Sequence, residues 1–169
     1  NNGNLRSVSD SLGRVTQYQY DARNRLIGTI GADGGTTSTK YDLNDNLTGS
    51  KDSLGHTTQQ FYDSRNRLSR AVDAEGNQTT YSYDVGNQLI AIKDAKGHIT
   101  SYQYDELGRQ ISTTDALGHV TRTEYDKLGN VVAAVDANSN RTEYSYDALN
   151  RRVSVKDANS GITTTSYDK

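Results

Sequence analysis

Residues Gly97 to Arg109 read GHITSYQYDELGR, and the chain writes this stretch, with variations, eight times. Its pair Tyr104-Asp105 recurs at Tyr20-Asp21, Tyr41-Asp42, Tyr62-Asp63, Tyr83-Asp84, Tyr125-Asp126, Tyr146-Asp147 and Tyr167-Asp168. Every interval is 21 residues, without insertion or deletion. A fixed period marks a repeat architecture and outranks any local motif. Thr100 stands four residues before Tyr104, and the same offset carries Thr in all eight copies, from Thr16 to Thr163.

Outward from Tyr104, the chain alternates turns and strands. Three residues past each Asp of the pair lies the column Gly3, Asn24, Asp45, Asn66, Asn87, Gly108, Gly129 and Asn150. These residue types tolerate a left-handed backbone cheaply. Asp first and Gly or Asn fourth is type I turn chemistry, often completed by a bulge. A strand follows, as in Gln88 to Lys93, and then a second Asp column: Asp10, Asp52, Asp73, Asp94, Asp115, Asp136 and Asp157, with Gly31 the exception. Three residues on stand Gly13, Gly34, Gly55, Gly76, Gly97 and Gly118, then Ser139 and Ser160. In those last two copies the left-handed residue is expected to slip one place, to Asn140 and Gly161. The second strand runs to the next Tyr, as in Ile99 to Tyr104. The fold class is therefore all-β, a continuous antiparallel meander of 21-residue hairpin repeats.

Parity adds a constraint. Side chains alternate faces with period two, yet 21 is odd. Either the two turns differ in register, or each repeat carries a β-bulge. A three-residue bulged loop at the first turn sets each Tyr opposite the residue six places later: Leu26, Leu47, Leu68, Leu89, Gln110, Val131 and Arg152. Thr100, Tyr102 and Tyr104 then share one face, and Ile99, Ser101 and Gln103 the other. Cross-strand aromatic–aliphatic pairs contribute roughly 0.2–1 kcal/mol each, so a ladder of them holds a sheet with little core. About 16 strands at roughly 4.8 Å spacing make a ribbon about 75 Å wide. Open twisted sheets rarely exceed about ten strands, so the strip is expected to curl into a hollow shell, barrel or tube wall.

Composition agrees with a thin, polar sheet. Hydrophobic residues make up 32%, against a usual share of roughly 45–50%. The net charge of −2 and the 12 Tyr argue against disorder, which goes with high charge and few aromatics. No unopposed stripe of Lys and Arg points to nucleic acid. No apolar run approaches the roughly 20 residues of a membrane-spanning helix. The absence of Cys excludes disulfides and thiolate metal sites. Because Asn1 and Lys169 fall at the same point of the repeat, residues 1–169 read as a single array of eight repeats cut from a longer chain. An isolated 169-residue chain is accordingly expected to associate edge to edge through its outer strands.

The Tyr-Asp pair, the following Gly108-Arg109, Asn24-Arg25, Asn66-Arg67 and Asn150-Arg151, and the Asp-Ala-x-Gly turn resemble the YD repeats of the Rhs class. Similar repeats occur in Rhs toxins, in the C component of Tc toxins and in teneurin ectodomains. The resemblance covers the whole chain. It implies a β strip coiled into a hollow shell, which encloses a toxin or, in teneurins, forms a large extracellular barrel. The core-end segment of Rhs proteins, with its Pro-containing cleavage motif and protease Asp residues, is absent, and the chain has no Pro. No toxin domain is present either. The resemblance therefore implies a piece of wall.

Candidate chemistry is sparse. His56, His98 and His119 share one column directly after the turn Gly. Neighbouring copies lie roughly 10 Å apart along the sheet, whereas zinc ligands converge within about 2.0–2.3 Å of one point, so these His read as polar turn residues. Fifteen of the 21 acids belong to the two turn columns, and no calcium-loop spacing is present. No residue breaks the pattern as a catalytic site would. The reading is no enzyme, no cofactor and no metal. The Tyr and Asp of the eight pairs, with Thr100, Gly97 and Gly108, are structural positions, and a ligand-binding residue is not identifiable. Asn46, Asn77 and Asn140 begin N-x-T sequons that follow from the invariant Thr column. The favoured function is a non-catalytic wall segment of a secreted or cell-surface shell around a C-terminal toxin domain. The alternatives are an extracellular fibre, tube or adhesin, and a glycan-binding surface of stacked Tyr. Expected partners are further repeats of this or neighbouring chains, an enclosed toxin polypeptide or a surface glycan.

Overall fold

The computed structural model of the chain describes residues 3–168. Among them are sixteen strands and no helix. The first eight are β1 (Ser7–Ser9), β2 (Val15–Tyr20), β3 (Leu26–Ile30), β4 (Thr36–Tyr41), β5 (Leu47–Lys51), β6 (Thr57–Tyr62), β7 (Leu68–Val72) and β8 (Gln78–Tyr83). The rest are β9 (Leu89–Lys93), β10 (Ile99–Tyr104), β11 (Gln110–Thr114), β12 (Val120–Tyr125), β13 (Val131–Val135), β14 (Arg141–Tyr146), β15 (Arg152–Lys156) and β16 (Ile162–Thr164). Within each of the chain's two units, strand order follows chain order. Two compact units, Asn1–Tyr81 and Ser82–Lys169, divide the chain inside β8.

Each unit is an antiparallel meander, and the register within it resolves the parity problem. In the second unit, Ile99 pairs with Lys93 and Thr100 with Ile92 across the Asp94 turn. Across the Asp105 turn, Tyr104 pairs with Gln110 but Gln103 pairs with Ser112, so Ile111 is passed over. Both loops close with the same bond, Asp94 N to His98 O and Asp105 N to Arg109 O. The turns therefore share one register, and the β-bulge is the alternative that holds. It recurs in the first unit between Gln19 and Tyr20, Lys40 and Tyr41, and Phe61 and Tyr62. One extra residue per odd-length repeat returns every Tyr to the same face. Six of the Tyr stand opposite the residue six places on, as expected: Tyr20 with Leu26, Tyr41 with Leu47, Tyr62 with Leu68, Tyr104 with Gln110, Tyr125 with Val131 and Tyr146 with Arg152.

All of the turn residues expected in the left-handed region adopt it except in the last two copies of the second turn; Gly97 stands at φ 87° and Gly108 at φ 79°. One expectation needs correction. Ser139 and Ser160 themselves take the left-handed conformation, at φ 66° and 68°, and the slip to Asn140 and Gly161 does not occur. The hydrogen bonds explain why. Asp136 Oδ1 accepts the Asn140 amide and Asp157 Oδ1 accepts the Gly161 amide, which holds residue five of the turn in register. Serine takes the strained position because the turn length is set by those bonds. Gly31, which has no carboxylate, still closes its turn through Gly34 N to Gly31 O at 2.9 Å.

Little is buried. Among the described residues only Gly28, Gly49, Ser112 and Ala133 are, and all belong to one column. Ala133 is fully buried and Ser112 is 8% exposed. The column continues through Arg70, Ala91 and Ser154, and it lies on the face opposite the repeat Tyr. Small residues occupy it because long neighbours fold across: the Gln19 Oε1 lies 2.9 Å from where a Cβ on Gly28 would stand.

Candidate functional site

The recurring chemistry of the repeat converges on the edge formed by the Tyr-Asp turns. Asp105 Oδ1 accepts the amides of Leu107 and Arg109, and Oδ2 accepts Arg109 Nε at 2.7 Å. One carboxylate thus satisfies the backbone of a loop that lacks ladder bonds. Asp21 and Arg25, Asp63 and Arg67, and Asp147 and Arg151 repeat the arrangement. The Arg109 side-chain bond and then its amide hold the Asp105 carboxyl below its ordinary range. For Asp21 the Arg25 side-chain bond is the leading cause of the same lowering.

The guanidinium also reaches the next repeat. Arg109 Nη1 donates to the Asp126 carbonyl at 2.9 Å, and Arg25 Nη1 to the Asp42 carbonyl at 3.0 Å. The same groups stack on the following Tyr: Arg25 on Tyr41 at 4.7 Å, Arg109 on Tyr125 and Arg151 on Tyr167, both at 4.6 Å. In the intervening repeats an amide takes the position. Asn46 Nδ2 donates to Asn66 Oδ1 and Asn130 Nδ2 to Asn150 Oδ1, each at 3.1 Å. The column Asn4, Arg25, Asn46, Arg67, Gln88, Arg109, Asn130 and Arg151 alternates amide with Arg, so the bonded unit is two repeats long. That alternation was legible in the sequence, and a search at twice the period finds it.

The phenol hydroxyl reaches backward. Tyr104 Oη donates to the Leu89 carbonyl at 2.9 Å, and Tyr62 to Leu47, Tyr125 to Gln110, Tyr146 to Val131 and Tyr167 to Arg152 do the same. The β9–β10 ladder pairs Ala91 to Lys93 with Ile99 to Ser101 and stops short of Leu89. Tyr104 therefore serves a carbonyl that lies beyond this ladder. Burial raises the Tyr62 phenol above its usual range. Tyr20 lies half-buried opposite Leu26, and Tyr41 lies beneath Arg25. Thr58, of the invariant Thr column, bonds Ser50 across the strands at 2.8 Å, while Thr100 pairs with Ile92.

At the other edge the same turn is self-contained. His56, His98 and His119 each bond their own Asp through Nδ1, at 2.7, 2.9 and 2.8 Å. The structure does not bring these His together, and no group of three or more His, Asp or Glu among the described residues is arranged to hold a metal ion. At Asp52 the His56 ring bond leads the lowering of the carboxyl pKa. At Asp94 burial pushes upward, but the His98 amide and ring outweigh it and the carboxyl is lowered. The sequon residues Asn46, Asn77 and Asn140 all bond their turn Asp.

The teneurin YD-shell family matches residues 2–168. The chain is similar to a chain in the crystal structure of TcdB2-TccC3, with 18% identity and a TM-score of 0.68 over 85% of this chain and 9% of that one. It is also similar to a chain of the Photorhabdus luminescens Tc holotoxin pore, with 18% identity and a TM-score of 0.69 over 85% and 9%. For TcdB2-TccC3 without its hypervariable C-terminal region the values are 14% identity and a TM-score of 0.57, over 92% and 12%. At these identities the likeness is one of fold, and the chain spans only 9% to 12% of those chains. Comparison with curated proteins finds no match.

Proposed function

Because the chain belongs to the teneurin YD-shell family, we propose that it is a non-catalytic wall segment of a secreted or cell-surface shell that encloses a C-terminal toxin domain. It serves as one stretch of a longer repeat array. The observation that carries the reading is the use made of the repeat's polar groups. Tyr, Asp and Arg, the residues that define the repeat, spend their hydrogen bonds on the turn and on the adjoining repeats. A site that bound or transformed a substrate would leave some of them directed at it. The partners in this reading are further repeats and the enclosed polypeptide. Electron microscopy of the full-length gene product, combined with protease digestion, tests it. Closed hollow particles that shield a C-terminal fragment are expected. Filaments of indefinite length, or a C-terminal domain cleaved as fast as the free domain, would sink the proposal.

A further inference from the structure

The face of the sheet opposite the repeat Tyr carries a feature that the repeat itself does not explain. In the first unit every charged strand residue is a cation, namely Lys40, Lys51 and Arg70. All three lie on that face: Lys40 pairs with Gly49, Lys51 with Ser38 and Thr57, and Arg70 with Phe61. Among the described residues none of them has a carboxylate partner. On the same face of the second unit Glu124, Arg141, Glu143 and Lys156 form a connected row of ion pairs, beside the strand cations Lys93 and Arg122. Unpaired cations on a sheet face keep their full attraction for an anion.

The pattern also breaks here in shape. Phe61 is the only Phe of the chain, and Arg70 is the only long residue in the small column. The two exceptions are cross-strand partners, with the Arg70 guanidinium 3.8 Å above the ring. Beside them Gly49 leaves a gap. No side-chain atom lies within 4 Å of its missing Cβ, and the nearest atom is the Thr58 carbonyl oxygen at 3.0 Å. At Gly28, by contrast, Gln19 folds in and fills the space. Lys40, Gly49, Lys51, Gln59 and Phe61 line a groove of about 680 Å³. On β4 its lining takes Ser38 and Lys40 of this face and neither Thr39 nor Tyr41, while on β5 and β6 it takes residues of both parities, Tyr62 included. Two carboxylates at its end, Asp42 and Asp63, are held by Asn46 and Arg67 of their own turns.

We propose that this groove binds an acidic polypeptide segment in extended conformation. Lys40 and Arg70 stand three strands apart, about 14 Å, which is two same-side intervals of an extended peptide at roughly 7 Å each. Carboxylates two intervals apart reach the two cations, with Lys51 beside the first. The side chain between them is apolar and enters the gap over Gly49 against Phe61. This inference does not depend on whether the array closes into a shell.

The test is fluorescence anisotropy of the 169-residue chain with a labelled pentapeptide, Glu-Ser-Leu-Ser-Glu. Saturable binding that weakens with salt is expected. The variants Lys40→Gln and Phe61→Ser, the latter installing the residue found at Ser82 and Ser145, each weaken it by about tenfold. Lys156→Gln, on the ion-paired face of the second unit, leaves it unchanged, and circular dichroism verifies the sheet in all three. The proposal is overturned by absent binding, by equal binding of the peptide with Gln in place of Glu, or by variants that bind as the parent does. Tighter binding of a sulfated oligosaccharide than of the peptide would reassign the groove to another class of ligand and overturn it equally.

Discussion

The two edges of the sheet use one turn and reach different ends. At the Asp105 and Asp94 turns the closing bonds are the same, Gly108 N to Asp105 O and Gly97 N to Asp94 O, both 3.0 Å. The Asp Oδ1 accepts the same pair of amides in each. The difference lies in the fifth residue. Arg109 has donors to spare after bonding its own Asp, and its rigid fork extends to the Asp126 carbonyl and the Tyr125 ring. His98 spends Nδ1 on Asp94, and its short ring reaches no further repeat. The turn is thus a local module. Lateral cohesion comes from side chains long enough to leave it.

The comparison can be broken most severely at the Tyr. Tyr104→Ala is expected to cost about 3 kcal/mol, through lost aromatic packing and an abandoned Leu89 carbonyl. Tyr104→Phe should recover all but about 1 kcal/mol of that, the hydroxyl's share. Gln103→Ala, exposed on the other face, should cost well under about 1 kcal/mol. Urea denaturation of the three decides, and equal losses for Tyr104→Ala and Gln103→Ala would invert the assignment of the packed face.

Acid should act next most strongly, and on both edges. The lowered carboxyls of Asp21, Asp63 and Asp105 at one edge, and of Asp52 and Asp115 at the other, contribute stability above their unfolded pKa of about 3.9. That contribution is lost as pH falls through the depressed folded values. Unfolding free energy should be flat from about pH 7 to 5 and decline below about pH 4. A chain equally stable at pH 2.5 and pH 6 would show that the Asp bonds add nothing to stability.

A finer cut separates the edges directly. Arg109→Ala should lower the thermal midpoint by about 2–4 °C, and His98→Ala by about 1 °C or less. If His98→Ala proved the more damaging, the second edge would be the cohesive one. One change should give a gain. Ser139→Gly relieves a left-handed serine at φ 66° and should stabilise by about 0.5–1 kcal/mol. No gain in the urea midpoint would mean that the turn tolerates serine without strain.

What could be read in the sequence is what acts within a few residues. The turns at both Asp columns, the strands between them and the pairing of each Tyr with the residue six places on all follow from contacts inside one hairpin. At Ser139 and Ser160 glycine and asparagine preference points one residue too far, because the Asp bond to the amide of residue five fixes the left-handed position. The small column at Gly28, Gly49, Ser112 and Ala133 was equally present in the sequence, yet small residues carry no sign of burial until a neighbour folds over them.

By itself the sequence determined the period, the all-β class, the antiparallel meander and the turn geometry, because each rests on backbone preferences and bonds spanning at most six residues. Only the tertiary structure decided that the odd repeat is absorbed by a bulge at Ile111 and its counterparts. It alone decided that Tyr104 answers Leu89, fifteen residues back, and that Arg109 answers Asp126, seventeen ahead. Such partners depend on how far each strand is shifted against the next. A one-residue bulge changes that shift without leaving any residue type that would announce it.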